Sequence, residues 1–367
     1  MKLDRKEILS ALETITIAGE GKNMVESGAV KNVLIFGNEV TVDLLIATPA
    51  MHIKKRAEDD IRKLIHEKFS PDAVVKVNIK VETPTQNPNE IKGKAIPGIS
   101  NIIAVASGKG GVGKSTVTAN LAVTLAKMGF KVGVLDADIY GPSMPIMFDV
   151  ENEKPISVEV DGKSKMKPVE SYEIKILSIG FFTAPSQAVI WRGPMASKAL
   201  NQMIFDADWG QLDFMLIDLP PGTGDIHLSI MQSLPITGAV VVSTPQAVAL
   251  ADAKKGIAMF GQAQLNVPII GLVENMSYFT PAELPTNRYY IFGKQGGQRL
   301  ASEYDLPFLG EIPIVQSIRE GGDQGIPVMM SDDVITQQAF IRFAAQVVRS
   351  IAMRNANVHS EQIAQQL

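Results

Sequence analysis

The chain of 367 residues is 46% hydrophobic, and its formal net charge at pH 7 is −4. This length exceeds the usual size of a single hydrophobic core, so we expect two domains. The slight negative charge excludes a chain-wide attraction for nucleic acid or anionic lipid, and we expect no nucleic-acid partner. The chain has no cysteine, which excludes disulfides, cysteine nucleophiles and any zinc or iron–sulfur site held by its own thiolates.

The N-terminal sequence MKLDRKEILS is charged and lacks the apolar segment of a signal peptide. We find no run of about 18 apolar residues, the length that a membrane-spanning helix needs. These features predict a cytoplasmic protein without stable membrane anchoring.

Residues 1–82 have the pattern of a small α+β domain. After a short helical pattern, two apolar runs on either side of Gly37-Asn38 predict a hairpin with a tight turn. Residues 53–69 place apolar side chains at helical spacing, and AVVKVNIKV alternates as a strand does. The next stretch, residues 83–100, is rich in Pro, Asn and Gly and predicts a linker.

From residue 101 onward, short apolar runs alternate with helical segments. The runs are NIIAVAS, KVGVLDAD, LDFMLIDLP, GAVVVSTP, VPIIGLVEN and PFLGEIP. Near-continuous apolar strands separated by helices are typical of a parallel sheet covered on both faces. Residues 101–355 are therefore predicted to form a doubly wound, mostly parallel α/β domain, with a β-rich insertion near residues 150–180 and a polar tail at 356–367.

The segment FIRFAAQVVRSIAMRN near the C-terminus has apolar residues at helical spacing with interspersed arginines. A basic amphipathic helix can lie on a membrane surface, but such a helix more often packs on the sheet of its own domain. We favour the packing interpretation.

The sequence SGKGGVGKST, residues 107–116, fits the pattern of a phosphate-binding loop. An apolar strand precedes it and the helical segment TVTANLAVTLAKMG overlaps its end, which is the setting that such a loop needs. Its glycines allow successive backbone N–H groups to turn toward an anion, and the helix N-terminus adds partial positive charge. Lys114 would reach the β- and γ-phosphates of a bound nucleotide, and the Ser115 hydroxyl would ligate Mg²⁺.

Acidic residues end two of the predicted strands. Asp218 ends LDFMLID, so the fold would bring its carboxylate to the C-terminal edge of the sheet, where ligands of such folds bind. Asp136 and Asp138 end VGVLDAD and, being two residues apart, lie on one face of an extended chain. We expect Asp218 to hold Mg²⁺, one of the pair to assist the metal, and the other to orient the attacking water. A strand-end aspartate can also cap the next helix, but three at one edge beside a phosphate loop favour a functional site.

Lys109 is a second lysine in the loop, which a single phosphate site does not need. It is either a solvated surface residue or a group that reaches a nucleotide bound by another copy of the chain. The sequence GKGGVGKST resembles the deviant Walker A motif of the ATPases that include MinD, ParA and the nitrogenase iron protein, in which the first lysine crosses a face-to-face dimer. The resemblance therefore implies an ATP-dependent homodimer in which this lysine stabilises charge on the partner's phosphates.

Within that group the chain is most similar to the Mrp/ApbC family of iron–sulfur cluster carrier proteins. The motifs that carry this resemblance are DADIYGPSMP (136–145), WRGPM (191–195), LIDLPPGTGD (216–225), STPQAVALADAKK (243–255) and VENMSYF (273–279). The N-terminal unit resembles the small domain that precedes the ATPase in many bacterial members and occurs alone in iron–sulfur assembly factors. The family implies ATP hydrolysis coupled to cluster transfer to apoprotein partners.

The resemblance also implies roles for individual residues. Asp138 would orient the hydrolytic water, and Asp136 and Asp218 would support Mg²⁺. Asn275 would contact adenine, and residues 220–225 would form a switch that senses the γ-phosphate. The residues that would surround the phosphates are Gly108, Lys109, Gly110, Gly111, Val112, Gly113, Lys114, Ser115 and Thr116.

This chain departs from the family at the cluster ligands. Mrp-type proteins typically have a C-x-x-C pair after the NMSYF segment, and two such pairs hold a [4Fe–4S] cluster across the dimer. Thr280, Pro281 and Ala282 stand where the cysteines would begin, and the four histidines of the chain are scattered at His52, His66, His227 and His359. Either a partner provides the thiolates, or the ATP switch serves another purpose.

Three functions therefore stay open at this stage. The first is a Mg·ATP-hydrolysing dimeric switch in iron–sulfur cluster assembly or delivery. The second is a ParA/MinD-like positioning ATPase that acts on membrane or DNA, and the third is a cluster-free adaptor that binds apoproteins without catalysis. The negative net charge and the RGPM and GTGD stretches favour the first.

Overall fold

The computed structural model describes residues 4–16, 23–36, 38–46, 51–81, 93–182, 193–281, 283–284 and 286–366. The chain divides into two compact units. The smaller unit comprises residues 1–85 and 348–367, and the larger unit comprises residues 86–347. Among the described residues, no helix is both long enough and apolar enough to cross a membrane.

The smaller unit contains a three-stranded sheet with the order β1-β2-β3. Its elements are α1 (Arg5–Leu12), β1 (Val30–Phe36), β2 (Glu39–Ile46), α2 (Met51–Lys68) and β3 (Val74–Val81). The first two strands pair antiparallel as the hairpin pattern predicts, and β2 pairs parallel with β3. Apolar side chains recur at every second residue of the strands and at helical spacing in the helices, so each element has one apolar face. The core that these faces form includes Ile8, Leu12, Val33, Val42, Ile61 and Ile65.

The larger unit is built on an eight-stranded sheet with the order β13-β12-β11-β4-β10-β5-β9-β8. The strands that carry the apolar runs are β4 (Ile99–Ala106), β5 (Val132–Asp136), β10 (Leu212–Asp218), β11 (Gly238–Ser243), β12 (Ile269–Glu274) and β13 (Phe308–Glu311). They pair parallel with their neighbours, and the short edge strand β8 (Val169–Ser171) pairs antiparallel with β9 (Ile174–Ser178). The doubly wound, mostly parallel fold predicted from the sequence is confirmed.

Helices flank this sheet, and all but the last of them lie in the connections between its strands. They are α3 (Lys114–Lys127), α4 (Met144–Met147), α5 (Gly193–Phe205), α6 (Asp225–Ser233), α7 (Ala247–Phe260), α8 (Gly296–Glu303) and α9 (Gln316–Gln324). One continuous cluster of buried apolar side chains from strands and helices forms the main core. The carboxyl ends of β4, β5 and β10 meet at one edge, which is where this class of sheet places its ligands.

Residues 150–180 are rich in β-strands as predicted, but only part of this segment is an insertion, because β8 and β9 of its four strands belong to the eight-stranded sheet. Two of them, β6 (Ile156–Val160) and β7 (Lys163–Lys167), form a separate antiparallel hairpin. The hairpin turns at Asp161 and Gly162, whose φ angles of 51° and 71° suit a tight two-residue turn.

The last helix, α10 (Val334–Gln366), extends through the residues that the sequence analysis assigned to a polar tail. That stretch has no Pro or Gly to stop a helix, so polarity alone does not end it. Most of the predicted linker at 83–100 lies outside the described residues, as do Gly37 and the first two residues of WRGPM.

Candidate functional site

The phosphate-loop sequence lies between the end of β4 and the start of α3, as its pattern predicts. Close approaches explain two of its four glycines. A Cβ on Gly108 would collide with the backbone of Asp252 in α7. A Cβ on Gly113, whose φ is 79°, would collide with the side-chain amide of Asn275. Glycine is therefore required at both positions for the loop to reach this conformation.

Lys114, the first residue of α3, is buried beside the strand-end carboxylates. Its Nζ lies 2.8 Å from Asp218 Oδ1 and 3.9 Å from Asp138 Oδ2. The neighbouring Ser115 Oγ donates to Asp218 Oδ2 at 2.6 Å. The structure thus brings together one ammonium, one hydroxyl and two carboxylates that the sequence motifs singled out separately.

Thr118 joins this cluster, although the sequence analysis did not select it. Its buried hydroxyl lies 2.8 Å from Asp218 Oδ1 and 2.9 Å from the carbonyl oxygen of Lys114. Four residues after Lys114 on the same helix, it occupies the same face. That spacing is the signal that could have identified it.

Asp136 is fully buried, and its carboxylate organises the chain after β5. Oδ1 accepts the N–H of Asp138 at 3.2 Å, and Oδ2 accepts the Ser178 hydroxyl at 2.8 Å. Oδ2 also accepts two N–H groups at the start of α4, those of Ser143 and Met144. Burial, with a further contribution from the nearby Asp218 charge, raises the pKa of Asp136 to about 7.

Asp138 has a different environment. Its Oδ1 is buried without a hydrogen-bond partner among the described residues, while its Oδ2 faces Lys114. Burial raises the pKa of this carboxyl, and the positive charge of Lys114 opposes that rise. A buried acceptor without a donor is unusual in a folded protein, so this oxygen is available to a ligand or to water.

Asn275 lies against the phosphate loop and donates from Nδ2 to the Val112 carbonyl oxygen at 2.8 Å. Beside it is a pocket of about 440 Å³. The sequence analysis assigned no binding role to most of the residues around this pocket, because they come from loops and helices far apart in sequence. They include Ser143, Ile146, Met147, Met276, Pro313, Ile314, Val315, Ile318, Arg319 and Asp323.

The remaining predicted residues lie around the same loop. Lys109 is half-buried, and its carbonyl oxygen accepts the Ser107 hydroxyl at 2.9 Å. Gly110 and Gly111 are exposed, whereas Thr116 lines the pocket.

The segment predicted to act as a switch follows Asp218. Within it, the Pro220 carbonyl oxygen lies 2.8 Å from Nε2 of the buried His227 on α6. Burial lowers the pKa of this histidine, so its neutral form is favoured. The contact links the residues just after Asp218 to the start of α6.

The site fits a magnesium ion better than an iron–sulfur cluster. Ser115 Oγ and the Asp218 carboxylate form a pair of oxygen donors of the kind that Mg²⁺ prefers. A thiolate-bound cluster has no ligand in a chain without cysteine. His66 and His227 each lie within hydrogen-bond distance of a backbone carbonyl oxygen, and the described residues contain no group of three or more acidic or histidine side chains able to share a metal.

A parallel sheet with a glycine-rich loop and buried lysine at the end of its central strand defines a P-loop nucleotide-binding protein. Comparison with known families agrees: residues 98–348 match the family described as NUBPL iron-transfer P-loop NTPase, and residues 5–84 match the iron–sulfur cluster assembly protein family. The chain belongs to the NUBPL iron-transfer P-loop NTPase family, which confirms the resemblance drawn from its motifs.

Two relatives align over nearly the whole chain, and both are named iron–sulfur cluster carrier protein. The one from Synechocystis is 40% identical over 94% of this chain and 97% of its own length. The one from Aquifex aeolicus is 42% identical over 94% of this chain and 98% of its own length. Among solved structures, a nucleotide-binding protein from Archaeoglobus fulgidus in complex with ADP is 42% identical, covers 62% of this chain and 87% of its own, and superposes with a TM-score of 0.54.

Proposed function

We propose that this protein is a Mg²⁺-dependent ATPase whose nucleotide state controls a homodimer that serves iron–sulfur cluster assembly. The observation that carries the proposal is the convergence of Lys114, Ser115, Asp138 and Asp218 at the phosphate loop. The names of the two nearly full-length relatives support the biological setting.

In this proposal the chain's own residues position the triphosphate. The loop amides and Lys114 bind its β- and γ-oxygens, and Ser115 and Asp218 hold the metal. Mg²⁺, when bound, neutralises phosphate charge. Asp138, with its buried unpartnered oxygen, accepts a hydrogen bond from the attacking water and orients it. Lys109 of a second copy stabilises the charge that develops on the transferred phosphoryl group.

The cluster would be cargo that this chain handles together with another protein. With no cysteine, the chain cannot bind a cluster through thiolates of its own. We infer that an assembly partner or the recipient apoprotein contributes the cluster ligands, while the ATPase changes the contacts that it offers to them.

Asp138→Asn tests the chemical part of the proposal. The variant preserves shape but removes the charge, so kcat for ATP hydrolysis should fall by about 100-fold or more, while the Kd for Mg·ATP stays within about threefold. The exposed Asp305→Asn serves as the control and should keep full turnover.

Undiminished turnover of Asp138→Asn would contradict the assigned role, and a wild-type chain without affinity for Mg·ATP would contradict the whole proposal. Co-sedimentation with liposomes and with duplex DNA, with and without ATP, distinguishes the proposed function from that of a positioning ATPase. ATP-dependent binding to either surface would favour that other function.

A further inference from the structure

The β6–β7 hairpin contributes no residue to the nucleotide site. Directly opposed residues of an antiparallel pair lie on the same face of the sheet. Three of the pairs in this hairpin are Ile156–Lys167, Val158–Lys165 and Val160–Lys163. These six residues share one face, which we call the lysine face.

The positive and negative side chains of the hairpin lie on opposite faces. The lysine face carries three ammonium groups and no carboxylate, whereas Glu159 lies on the opposite face, paired with Ser164. Within the described part of the chain, none of these three lysines forms an ion pair. The whole chain has a net charge of −4, so the lysine face is a local reversal of sign.

The hairpin is attached to its unit at Met166, a residue of the other face. Met166 lies on that face, packs against the main core, and exchanges backbone hydrogen bonds of 2.8 Å with Asp206 and Asp208. On the lysine face, Ile156 is 60% exposed, and Val158 and Val160 are half-buried. A row of β-branched apolar side chains therefore lies beside the row of lysines and keeps part of its surface open to solvent.

The spacing of the two rows fits one kind of ligand. Alternate residues of β7 are about 6.7 Å apart, and the apolar row lies about 5 Å to the side. On an α-helix, residues at i, i+4 and i+8 recur about every 6 Å, with i+3 and i+7 beside them. We propose that the lysine face binds an acidic amphipathic helix of a partner protein, with the helix carboxylates along β7 and its apolar residues along β6.

The composition of the lysine face argues against nucleic acid and lipid as its ligand. It has no aromatic ring to stack on a base and no arginine to bind a phosphate through two N–H groups. Its apolar side chains are short and β-branched, whereas helices that bind membrane surfaces insert Trp, Phe and Leu.

The test uses the full chain and a fluorescein-labelled helical peptide that carries Glu at i, i+4 and i+8 and Leu at i+3 and i+7. Fluorescence anisotropy should show binding to the wild type and at least about tenfold weaker binding to K163E/K165E/K167E. A peptide of the same composition in scrambled order should bind weakly to both.

The matched control is K127E/K131E/K198E, which reverses three exposed lysines outside the hairpin and changes the net charge equally. It should bind the acidic peptide within about twofold of the wild type. Both variants should keep wild-type affinity for Mg·ATP, which shows that the larger unit is folded.

A charge exchange sharpens the test. A peptide with Lys in place of Glu should bind K163E/K165E/K167E and not the wild type. Equal binding of the acidic peptide to the wild type and this variant, or no binding to either, would overturn the proposal, as would equally tight binding of the scrambled peptide. Lysine-dependent binding of phosphatidylserine vesicles or duplex DNA, without peptide binding, would also overturn it.

Discussion

Thr118 and Thr124 form a natural pair for testing the carboxylate that would hold the metal. Both are buried in α3, and each hydroxyl donates to the carbonyl oxygen four residues earlier. Only Thr118 also reaches Asp218, at 2.8 Å. We therefore expect its hydroxyl to fix the orientation of that carboxylate.

Replacing Thr118 by Val removes the hydroxyl and nearly preserves the shape of the side chain. The Mg²⁺ concentration that half-saturates ATP binding should rise about tenfold, the effect of losing one hydrogen bond to a charged group. Thr124→Val should lower the free energy of unfolding about as much as Thr118→Val does, but it should not change the Mg²⁺ dependence of ATP binding. Identical Mg²⁺ titrations of the two variants would rule out this role for Thr118.

At the scale of single residues, the sequence motifs indicated most of the cluster and missed one member. Lys114, Ser115 and Asp218 lie within contact of one another, as the loop and strand-end patterns predict, although their catalytic roles stay predictions. Thr118 was missed because a helical threonine usually bonds only its own helix. Its second contact spans 100 residues of sequence, a distance that no local pattern encodes.

At the scale of elements, Asn120 joins α3 to the chain that follows α9. Its Nδ2 donates to the Thr116 carbonyl oxygen at 2.9 Å, and its Oδ1 accepts the Val328 N–H at 2.7 Å. The end of α9 is held at a second point, where the Tyr172 hydroxyl donates to the Gly325 carbonyl oxygen. Since Ile318 and Asp323 of α9 line the pocket, these two contacts position one wall of it.

Asn275, which we expect to contact adenine, also lines this pocket. Asn120→Ala should therefore weaken binding of the base more than binding of the phosphates. We expect the Kd for ADP to rise about tenfold and the Kd for inorganic tripolyphosphate to change less than about twofold. Calorimetric titration of both ligands measures the difference, with Thr124→Val as the control in the same helix. Equal losses for the two ligands would indicate general damage to α3.

The ends of β12 and β13 place two carboxylates side by side. Glu274 and Glu311 are opposite each other in the sheet register, and Arg288 lies 3.7 Å from Glu311. Burial, with the charge of Glu274 adding to it, raises the pKa of Glu311 despite the arginine. The folded state thus keeps this proton to a higher pH than the unfolded state, so stability is lost as pH rises above the usual glutamate pKa.

Glu311→Gln should remove this loss of stability at higher pH. The variant and the wild type should have similar free energies of unfolding near pH 4, and the variant should be more stable at pH 7 by less than about 1 kcal/mol. Urea unfolding at the two pH values provides the measurement, and the exposed Glu153→Gln is the control. A variant that is less stable than the wild type at pH 7 would show that the pair with Arg288 dominates.

The elements themselves were largely predictable, but their arrangement was not. Apolar runs located β4, β5, β10, β11, β12 and β13, because buried parallel strands are apolar on both faces. Their order was not predicted, since periodicity records which face is buried and not which strand is adjacent. The placement of β10 between β4 and β5, which brings Asp218 beside Asp136, is therefore visible only in the fold.

At the scale of the whole molecule, the absence of cysteine makes a direct prediction. Anaerobic incubation of the purified chain with iron and sulfide should yield no cluster absorbance and no stoichiometric iron, because the chain offers no thiolate. The variant T280C/E283C restores a C-x-x-C spacing after NMSYF and serves as the comparison that should gain iron. A wild-type chain that binds a cluster would show that non-thiolate ligands suffice.

The central position of β4 also affects how the protein opens. This strand lies between β10 and β11, with further strands beyond each of them, so its amide protons should be among the last in the larger unit to exchange with deuterated water, after those of the rim strands β8 and β13. The glycine-rich turn is continuous with this slowest-exchanging segment. Local opening of the outer strands should therefore leave the phosphate-binding loop in place. On heating, ATP binding should be lost only when the central strands unfold.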